Sequence, residues 1–522
     1  MDRLRTALAL LVFLGAVTPV AGATAAPRSG AGADAPAQAR ADPATDRVGW
    51  EAGYWHDEPV AVDQTDGLSD GELDAYVGRA MARVEYLRDA EFEESVPVSV
   101  ISRDEFQSRD GGNDTTEAFA AWNNQVWEAL FVDGEDSNVQ ERLSATYGSS
   151  VVGFYSPGDD EIKIVTDSPD SPTIDNGTLV HELTHALQDQ QGRLRAAQQH
   201  GGTQDADLAV DGVIEGEANY IETRYARRCG GAWDCVATPQ AGSGGSGGDR
   251  NLGLLLVILQ PYSDGPVYVD HLREQGGWAA VDAAFADPPE STEQVIHRTD
   301  EAPTPIDYED RARNGWRTYD VGQNGSDTVG EASIYTMFWY QARTADADTV
   351  APASIGRTDS PFDIYNYDAR PSAGWANDRV FPYRRGSGED AAGGYVWVTE
   401  WDTERDAREF ERAYGAILRA HDATRSGNVW TIEDGRFADA FRVTRDGTRV
   451  TVVNGPTPRA VRDIRPPAGG EGAAATDGSA GASGDDDGFP GVSGGRAPGL
   501  GVPVALAALA VLAALAGRRR TG

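Results

Sequence analysis

Residues 180–190 read VHELTHALQDQ and place two histidines four positions apart. Positions i and i+4 share one face of an α-helix, so His181 and His185 can direct their imidazole nitrogens at one point. Glu182 lies beside that face, where a carboxylate can hold and deprotonate a water. Because the whole chain has only 7 histidines, this spacing rarely arises by chance. The stretch predicts a helix with a zinc centre, in which His181 and His185 are ligands and Glu182 is the general base.

A catalytic zinc site needs a third protein ligand and leaves a fourth position open for water. His200 is one candidate, but it lies in a predicted loop. The segment VIEGEANYIE, Val213–Glu222, is predicted to be helical and offers Glu215 or Glu217. These two point about 200° apart around a helix, so only one of them can bind the metal. Apolar periodicity favours burial of Glu217, whereas small neighbours such as Gly212 would let the face of Glu215 approach the first helix.

The two segments together resemble the gluzincins, the clan of zinc peptidases that includes thermolysin and aminopeptidase N. In the aminopeptidase branch the third ligand is the glutamate of E-G-x-A-x-Y. The resemblance assigns that role to Glu215, with Gly216, Ala218 and Tyr220 matching the rest of the motif. It implies bound Zn²⁺, a gluzincin-like body and peptide hydrolysis. The connection from His185 to Glu215 is longer than is usual in the clan, which implies an inserted loop.

The resemblance extends beyond the metal helices to a broad group of exported proteins that share an HExxH helix and an E-G-x-A helix. It covers most of residues 70–420, and haloarchaeal surface proteins are among the members. The segments that carry it are Pro261–His297, Asp327–Tyr340 and Ala373–Val380.

Peptide hydrolysis on zinc also needs a donor for the developing oxyanion, which is usually a tyrosine or a histidine. Tyr262, Tyr268 and His297 lie in a helical segment that could cover the cleft. Each of them could equally be an ordinary core residue, so the sequence leaves the choice open.

The order of predicted elements indicates an α+β fold. Apolar spacing predicts helices near Asp70–Asp89, Thr116–Val132 and Asp205–Arg227, and a small mixed sheet is expected in the last third of the chain. We divide the chain into a signal peptide (1–25), a linker (26–45), a zincin-like catalytic region (46–350), a C-terminal α+β region (351–465), a low-complexity acidic Gly/Ala linker (466–497) and a transmembrane or sorting segment (498–520).

A predicted β-hairpin directly precedes the metal helix. Its sequence is VVGFYSPGDDEIKIV, Val151–Val165, with a turn at Ser156-Pro157-Gly158-Asp159. In the gluzincins the strand at this place is an edge strand, and an edge strand can accept an extended peptide as a further strand. We therefore expect the EIKIV strand, which contains Ile164, to be the docking edge for a peptide substrate.

The charge of the chain is strongly acidic, with 83 Asp+Glu against 45 Lys+Arg and a net charge of −38. Its 12 Trp and 18 Tyr are enough to form a core, so the composition indicates a folded protein with a carboxylate-covered surface, as in proteins from concentrated salt. Such a surface repels nucleic acid and anionic lipid, which argues against both as partners. A peptide or protein substrate remains the expected partner.

Both ends of the chain carry targeting signals. Arg3 and Arg5 precede a short apolar run and small residues, which is the pattern of an export signal. The apolar segment Leu500–Ala516 is followed by three arginines, so it predicts a membrane anchor with the body of the protein outside the cell. The tail resembles the PGF-type sorting signal of haloarchaeal surface proteins, which is removed before lipid attachment, although Leu500 replaces the phenylalanine.

Cys229 and Cys235 are the only cysteines. Outside the cell a lone pair of this kind predicts a disulfide. Asn113, Asn176 and Asn324 lie in glycosylation motifs, and Asn176 is alternatively placed to cap the metal helix.

The sequence therefore predicts a cell-surface zinc metallopeptidase that hydrolyses peptide bonds through a metal-activated water. The alternative is a catalytically inactive protein of the same fold that acts in surface binding or in the cell envelope, because the sequence assigns the oxyanion donor to no single residue.

Overall fold

The computed structural model describes residues 41–110, 116–134, 137–237, 251–388 and 391–467. The predicted signal peptide, all but the first two residues of the low-complexity linker, the C-terminal anchor and Asn113 lie outside these residues. The fold is α+β, as predicted.

The helices of the described residues are α1 (Asp70–Arg88), α2 (Arg103–Asp110), α3 (Glu117–Ala129), α4 (Val139–Ser150), α5 (Asn176–Gln190), α6 (Arg193–Ala197), α7 (Gln204–Ala226), α8 (Leu252–Gly276), α9 (Trp278–Ala286), α10 (Thr292–His297), α11 (Gly330–Thr344), α12 (Glu404–Ala420) and α13 (Pro458–Ile464), with a 3₁₀ turn at Pro352–Gly356. The strands are β1 (Trp50–Glu51), β2 (Tyr54–Trp55), β3 (Val98–Ser102), β4 (Gly153–Ser156), β5 (Glu161–Thr166), β6 (Arg317–Thr318), β7 (Trp375–Arg385), β8 (Ala392–Trp401), β9 (Thr424–Ser426), β10 (Val429–Thr431), β11 (Ala440–Asp446) and β12 (Arg449–Gly455).

The helix that carries the two histidines, α5, is capped by Asp175, whose carboxylate accepts a hydrogen bond from the Thr178 N–H at 2.9 Å. The suggestion that Asn176 caps this helix is therefore wrong. Asn176 is the first helical residue, and its amide donates to the Val236 carbonyl at 2.7 Å. The apolar face of α5, with Leu183 at its centre, is buried against α1, β5 and α7. This packing fixes the histidines in the interior.

The predicted hairpin before α5 is present, because β4 and β5 pair antiparallel with Ser156 opposite Glu161. The prediction that the EIKIV strand is an edge is wrong. Strand β3 adds to β5 in parallel, with Val100 opposite Ile164, so the order of the described sheet is β3-β5-β4. Ile164 lies in the central strand and is 1% exposed. The two edges of this sheet are therefore β3 and β4. Of these, β4 lies beside the metal helix.

The C-terminal sheet is larger than expected. In the described residues it has seven strands in the order β6-β7-β8-β12-β11-β10-β9, and every pair of neighbours is antiparallel, so the prediction of a small mixed sheet is wrong. The two short strands β9 and β10 and the two-residue β6 extend it at its ends. A tight hairpin turn after Asp446 joins β11 and β12, with Asp446 opposite Arg449.

The largest hydrophobic core crosses the predicted boundary at 350/351. It includes Trp127 of α3 and Phe338 of α11 together with Trp397 of β8 and Phe410 of α12. The seven-stranded sheet therefore shares its packed interior with helices of the predicted catalytic region. The division at this boundary stays a prediction.

Helix α8 is long and apolar enough to cross a membrane by length and composition alone. However, 83% of its most apolar window is buried inside the protein, as is common for the core helix of a soluble domain. Its closest partner is α7, and glycines make the approach possible. A Cβ at Gly216 would lie 2.6 Å from the carbonyl carbon of Gly265, and a Cβ at Gly265 would lie 2.5 Å from the Gly212 oxygen. The Gly212 backbone thus contacts α8, and a Cβ at Gly212 would lie 3.2 Å from Val295 of α10, so Gly212 does not face α5 as the sequence suggested.

Replacing Gly216 with alanine is expected to destabilise the fold by about 1–3 kcal/mol, because the added methyl overlaps the backbone of α8 and the two helices must separate. The matched control is Gly71→Ala in the first turn of α1, where a Cβ meets nothing within 4 Å. That change should leave stability unaltered or raise it by up to about 1 kcal/mol. Denaturant unfolding of the two variants would measure the difference, and equal stabilities would contradict a tight helix crossing.

Candidate metal centre

Two adjacent helices bring three potential metal ligands together. His181 and His185 project from α5, and Glu215 projects from α7. Glu215 Oε2 lies 3.3 Å from His181 Nε2 and 3.6 Å from His185 Nε2. One ligand atom from each residue lies within 4.8 Å of the others, and all three side chains are buried. The predicted first-choice residues are therefore the ones that the fold brings together.

Each histidine has a polar side chain near its outer nitrogen, and for His185 the two form a hydrogen bond. His185 Nδ1 lies 2.8 Å from Gln188 Oε1. Because the Gln188 amide donates to the Ile214 carbonyl at 3.0 Å, its oxygen is the acceptor and Nδ1 is the protonated nitrogen. Nε2 of His185 then presents a lone pair toward Glu215. His181 Nδ1 lies 3.5 Å from Glu222 Oε2, two helical turns beyond Glu215 on α7. A hydrogen bond such as that of His185 Nδ1 orients a histidine ligand and increases its basicity.

The alternative ligand, Glu217, lies on another side of α7 and has a different set of partners. Its carboxylate is fully buried between the guanidinium groups of Arg88 and Arg193, and it also accepts from the Gln188 amide at 2.8 Å. Burial alone would raise the pKa of Glu217, but Arg193 and Arg88 outweigh it and lower that pKa to about 2. Glu217 is thus buried, as the apolar periodicity predicts, and its carboxylate accepts a hydrogen bond from the Gln188 amide and, among the described residues, binds no metal ligand.

The electrostatic environment of His181, His185 and Glu215 favours a bound cation. Burial would lower the pKa of His181, but hydrogen bonds with Glu215 and Glu222 outweigh it and raise that pKa to about 10. Burial would raise the pKa of Glu215, yet His185 and His181 bring it down to about 2. The pKa of His185 is lowered, chiefly by burial. The carboxylates of Glu215 and Glu222, which stabilise a proton on His181, would also stabilise a metal ion at the histidine nitrogens. A proton and a metal ion therefore compete for this site.

The predicted general base, Glu182, is fully buried beside the cluster. Its Oε2 accepts a hydrogen bond from the Tyr155 backbone N–H of β4 at 2.8 Å. Its Oε1 has no hydrogen-bond partner among the described residues. Burial is the main cause that raises the pKa of Glu182 to about 8, within the range that suits a base near neutral pH. One oxygen is therefore anchored and the other is available for chemistry.

These residues fit a zinc ion. The donor set is two imidazole nitrogens and one carboxylate oxygen, the set found in catalytic zinc sites that keep a fourth position for water or substrate. His185 Nε2 is buried without a hydrogen-bond partner in the described part of the chain, which is unfavourable unless a cation binds it. The same donors accept other divalent metals, so the geometry supports a metal more directly than it supports zinc.

Of the three oxyanion candidates, only Tyr262 lies next to the cluster. Its ring is nearly parallel to that of His181, with 6.3 Å between the ring centroids. Tyr268 is half-buried in a different apolar cluster, one that contains Val269. His297 pairs with Glu331 at 2.9 Å, and this contact outweighs burial and raises the pKa of His297 to about 9.

Sequence reasoning missed three residues of this site. Gln188 could have been found, because it lies one turn after His185 on the same helix. Glu222 could have been found in the same way, because it follows Glu215 by two helical turns on α7. Tyr155 could not have been found, because its contribution is a backbone N–H that only the packing of β4 against α5 brings to Glu182.

Replacing Gln188 with alanine is expected to weaken zinc binding about 10–100-fold, because His185 loses the acceptor that fixes its ring and tautomer. The matched control is Gln190→Ala on the same helix, since the Gln190 side chain bonds to Glu93 and Glu94 near the surface. Competition with a chromophoric chelator would measure both affinities. Equal affinities for the two variants would show that Gln188 does not orient a ligand.

The comparisons with known proteins identify one family that matches part of the chain. Residues 317–465 match a family described as "Domain of unknown function (DUF8575)". This segment contains the seven-stranded sheet and begins after the metal helices, so it carries no information on the metal centre. No curated protein and no solved structure matches the chain.

Proposed function

We propose that this chain is a zinc-dependent metallopeptidase of gluzincin type that acts outside the cell. The observation that carries the proposal is the buried group of His181, His185 and Glu215 with the Glu182 carboxylate beside it. A peptide or protein is the substrate class for which this set of residues is suited.

His181, His185 and Glu215 would hold the ion, and zinc supplies a Lewis acid that activates water and polarises a carbonyl. Glu182 would take a proton at Oε1, while the Tyr155 N–H keeps Oε2 in place. Gln188 would keep the proton of His185 on Nδ1. Tyr262 is the described residue best placed among the three candidates to face a substrate carbonyl, because its ring lies beside His181.

An extended peptide would lie along β4, because β4 is the edge strand next to Glu182. An edge strand offers backbone donors and acceptors to a further strand. This proposal keeps the idea of strand addition and transfers it from the EIKIV strand to the strand before it.

The cellular location belongs to the same proposal. The export signal, the apolar C-terminal segment with its arginines and the net charge of −38 support a surface protein of a salt-loving archaeon, anchored by its tail or by a lipid that replaces the tail. The charge also supports the absence of nucleic-acid partners.

A second candidate is a catalytically inactive protein that uses this fold for surface binding or in the cell envelope. It is favoured by the burial of His181, Glu182 and His185, each 0% exposed. A peptide can reach these side chains only if the elements around them move apart.

The deciding experiment uses the full-length chain, purified in concentrated salt. We expect about one zinc per chain by mass spectrometry of the metal, and cleavage of an unstructured protein that stops with a chelator and returns with added zinc. Zinc without cleavage of any unstructured substrate would favour the binding protein. Protein that takes up no zinc in native salt would exclude both versions of the metal centre.

A further inference from the structure

Two buried arginines lie on one face of α1, away from the metal centre. Arg79 and Arg83 are each 1% exposed. They face the disulfide loop, because Arg79 Nη1 and Arg83 Nη2 both donate to the Asp234 carbonyl at 2.9 Å. The loop is closed by the predicted disulfide between Cys229 and Cys235, which the structure contains.

Arg83 has a complete set of polar partners. Its Nε donates to the His56 carbonyl at 2.9 Å, its Nη1 donates to the Tyr225 hydroxyl at 2.8 Å, and its guanidinium lies 4.7 Å from the Trp233 ring centroid. Arg79 does not. Its Nε and Nη2 have no hydrogen-bond partner among the described residues. Tyr76, one turn earlier on the same face of α1, is 0% exposed, and its hydroxyl likewise has no partner there.

Two other buried arginines do have a carboxylate partner. Arg88, on the same helix, and Arg193 share the buried carboxylate of Glu217. No carboxylate of the described residues forms an ion pair with Arg79, and the acidic residue nearest in effect, Asp234, has an exposed side chain. A buried charge without a counter-charge is strongly unfavourable. Burial and the neighbouring Arg83 lower the pKa of Arg79, but a guanidinium stays charged at any physiological pH.

We propose that Arg79 and Tyr76 form a binding site for a small monovalent anion of chloride size, which supplies the missing counter-charge between α1 and the disulfide loop. Nε and Nη2 of one guanidinium together with one hydroxyl offer three donors to a single anion. The site is closed to solvent, so the anion must be small and must give up its water readily. Because the polar partners of Arg83 are also neutral, the positive charge at the site is at least that needed for one monovalent anion.

The positive charge of this buried site contrasts with the acidic surface of the protein. With a net charge of −38 the protein as a whole repels anions, so an anion bound at low concentration has to be held by a specific site. The site also connects to the metal helix, because Arg83 bonds to Tyr225 and the Tyr225 hydroxyl donates to Asn176 in the first turn of α5 at 3.3 Å. Occupancy by the anion therefore stabilises the region that carries the disulfide and the start of α5.

The test uses the full-length protein in potassium gluconate, with chloride replacing gluconate at constant ionic strength. We expect the unfolding temperature of the wild type to rise by about 3 °C and to saturate with chloride. In Arg79→Met the saturable rise should disappear, while stability in gluconate should equal or exceed that of the wild type, because the unpaired charge is gone. Arg228→Met, which removes a positive charge from the same loop, is the matched control and should keep the chloride response.

Tyr76→Phe removes only a hydroxyl that has no partner in the described protein, so it should fold normally and need several-fold more chloride for the same rise. This variant keeps the inference testable if Arg79→Met fails to fold.

Crystals soaked in bromide should give an anomalous peak within hydrogen-bond distance of Arg79 Nε. The inference is overturned if the wild type, Arg79→Met and Tyr76→Phe respond equally to chloride. It is also overturned if no bromide lies beside Arg79, or if only sulfate or phosphate stabilises the wild type.

Discussion

Replacing Glu182 with glutamine is expected to lower peptide turnover by about 10²–10⁴-fold while zinc stays bound. The change removes the group that accepts the proton and leaves the ligands His181, His185 and Glu215 in place. The glutamine oxygen can still accept the hydrogen bond from the Tyr155 N–H, which Glu182 accepts at 2.8 Å. The fold should therefore survive. The measurement is kcat/KM on an unstructured substrate, together with zinc content and unfolding temperature for both proteins.

The outcomes separate the roles that Glu182 could have. Loss of turnover with unchanged zinc content supports a general base. Turnover that falls only in proportion to lost zinc would make Glu182 a structural support for the ligands. Full turnover in the variant would remove Glu182 from the mechanism.

A second large effect is expected from a matched pair of substitutions two residues apart on α7. Glu215→Gln should weaken zinc binding by more than about 100-fold, because it removes the only charged ligand of the proposed set. Glu217→Gln should instead destabilise the fold by about 3 kcal/mol, because Arg88 and Arg193 lose the buried carboxylate between them. Asp282 remains near Arg88, which keeps the loss from being larger.

Both variants should be unfolded with denaturant in the presence of a chelator, and their zinc affinities should be measured by chelator competition. Glu217→Gln is expected to weaken zinc binding at most about 10–100-fold, through Gln188. If Glu217→Gln abolished zinc binding and Glu215→Gln left it intact, the assignment of the third ligand would be reversed.

The sequence by itself determined the local parts of this protein. The spacing of His181 and His185 is enough to place both on one face of α5, because helical geometry repeats within four residues. The hairpin β4–β5, the long helix α7, the α+β class and the disulfide also followed from short-range patterns. In each case the deciding interactions join residues that are close in sequence.

Only the tertiary structure decided how those parts meet. Glu215 and Glu217 are both buried on α7, and the rotation of that helix selects Glu215 for the histidines. This rotation goes with the close contact of Gly216 with Gly265 on α8, whereas the sequence predicts an approach toward α5 at Gly212. Similarly, β5 became a central strand because β3, far away in the chain, pairs with it in parallel. Short-range patterns specify which face of an element is apolar, whereas the partner that covers this face depends on packing among elements distant in sequence.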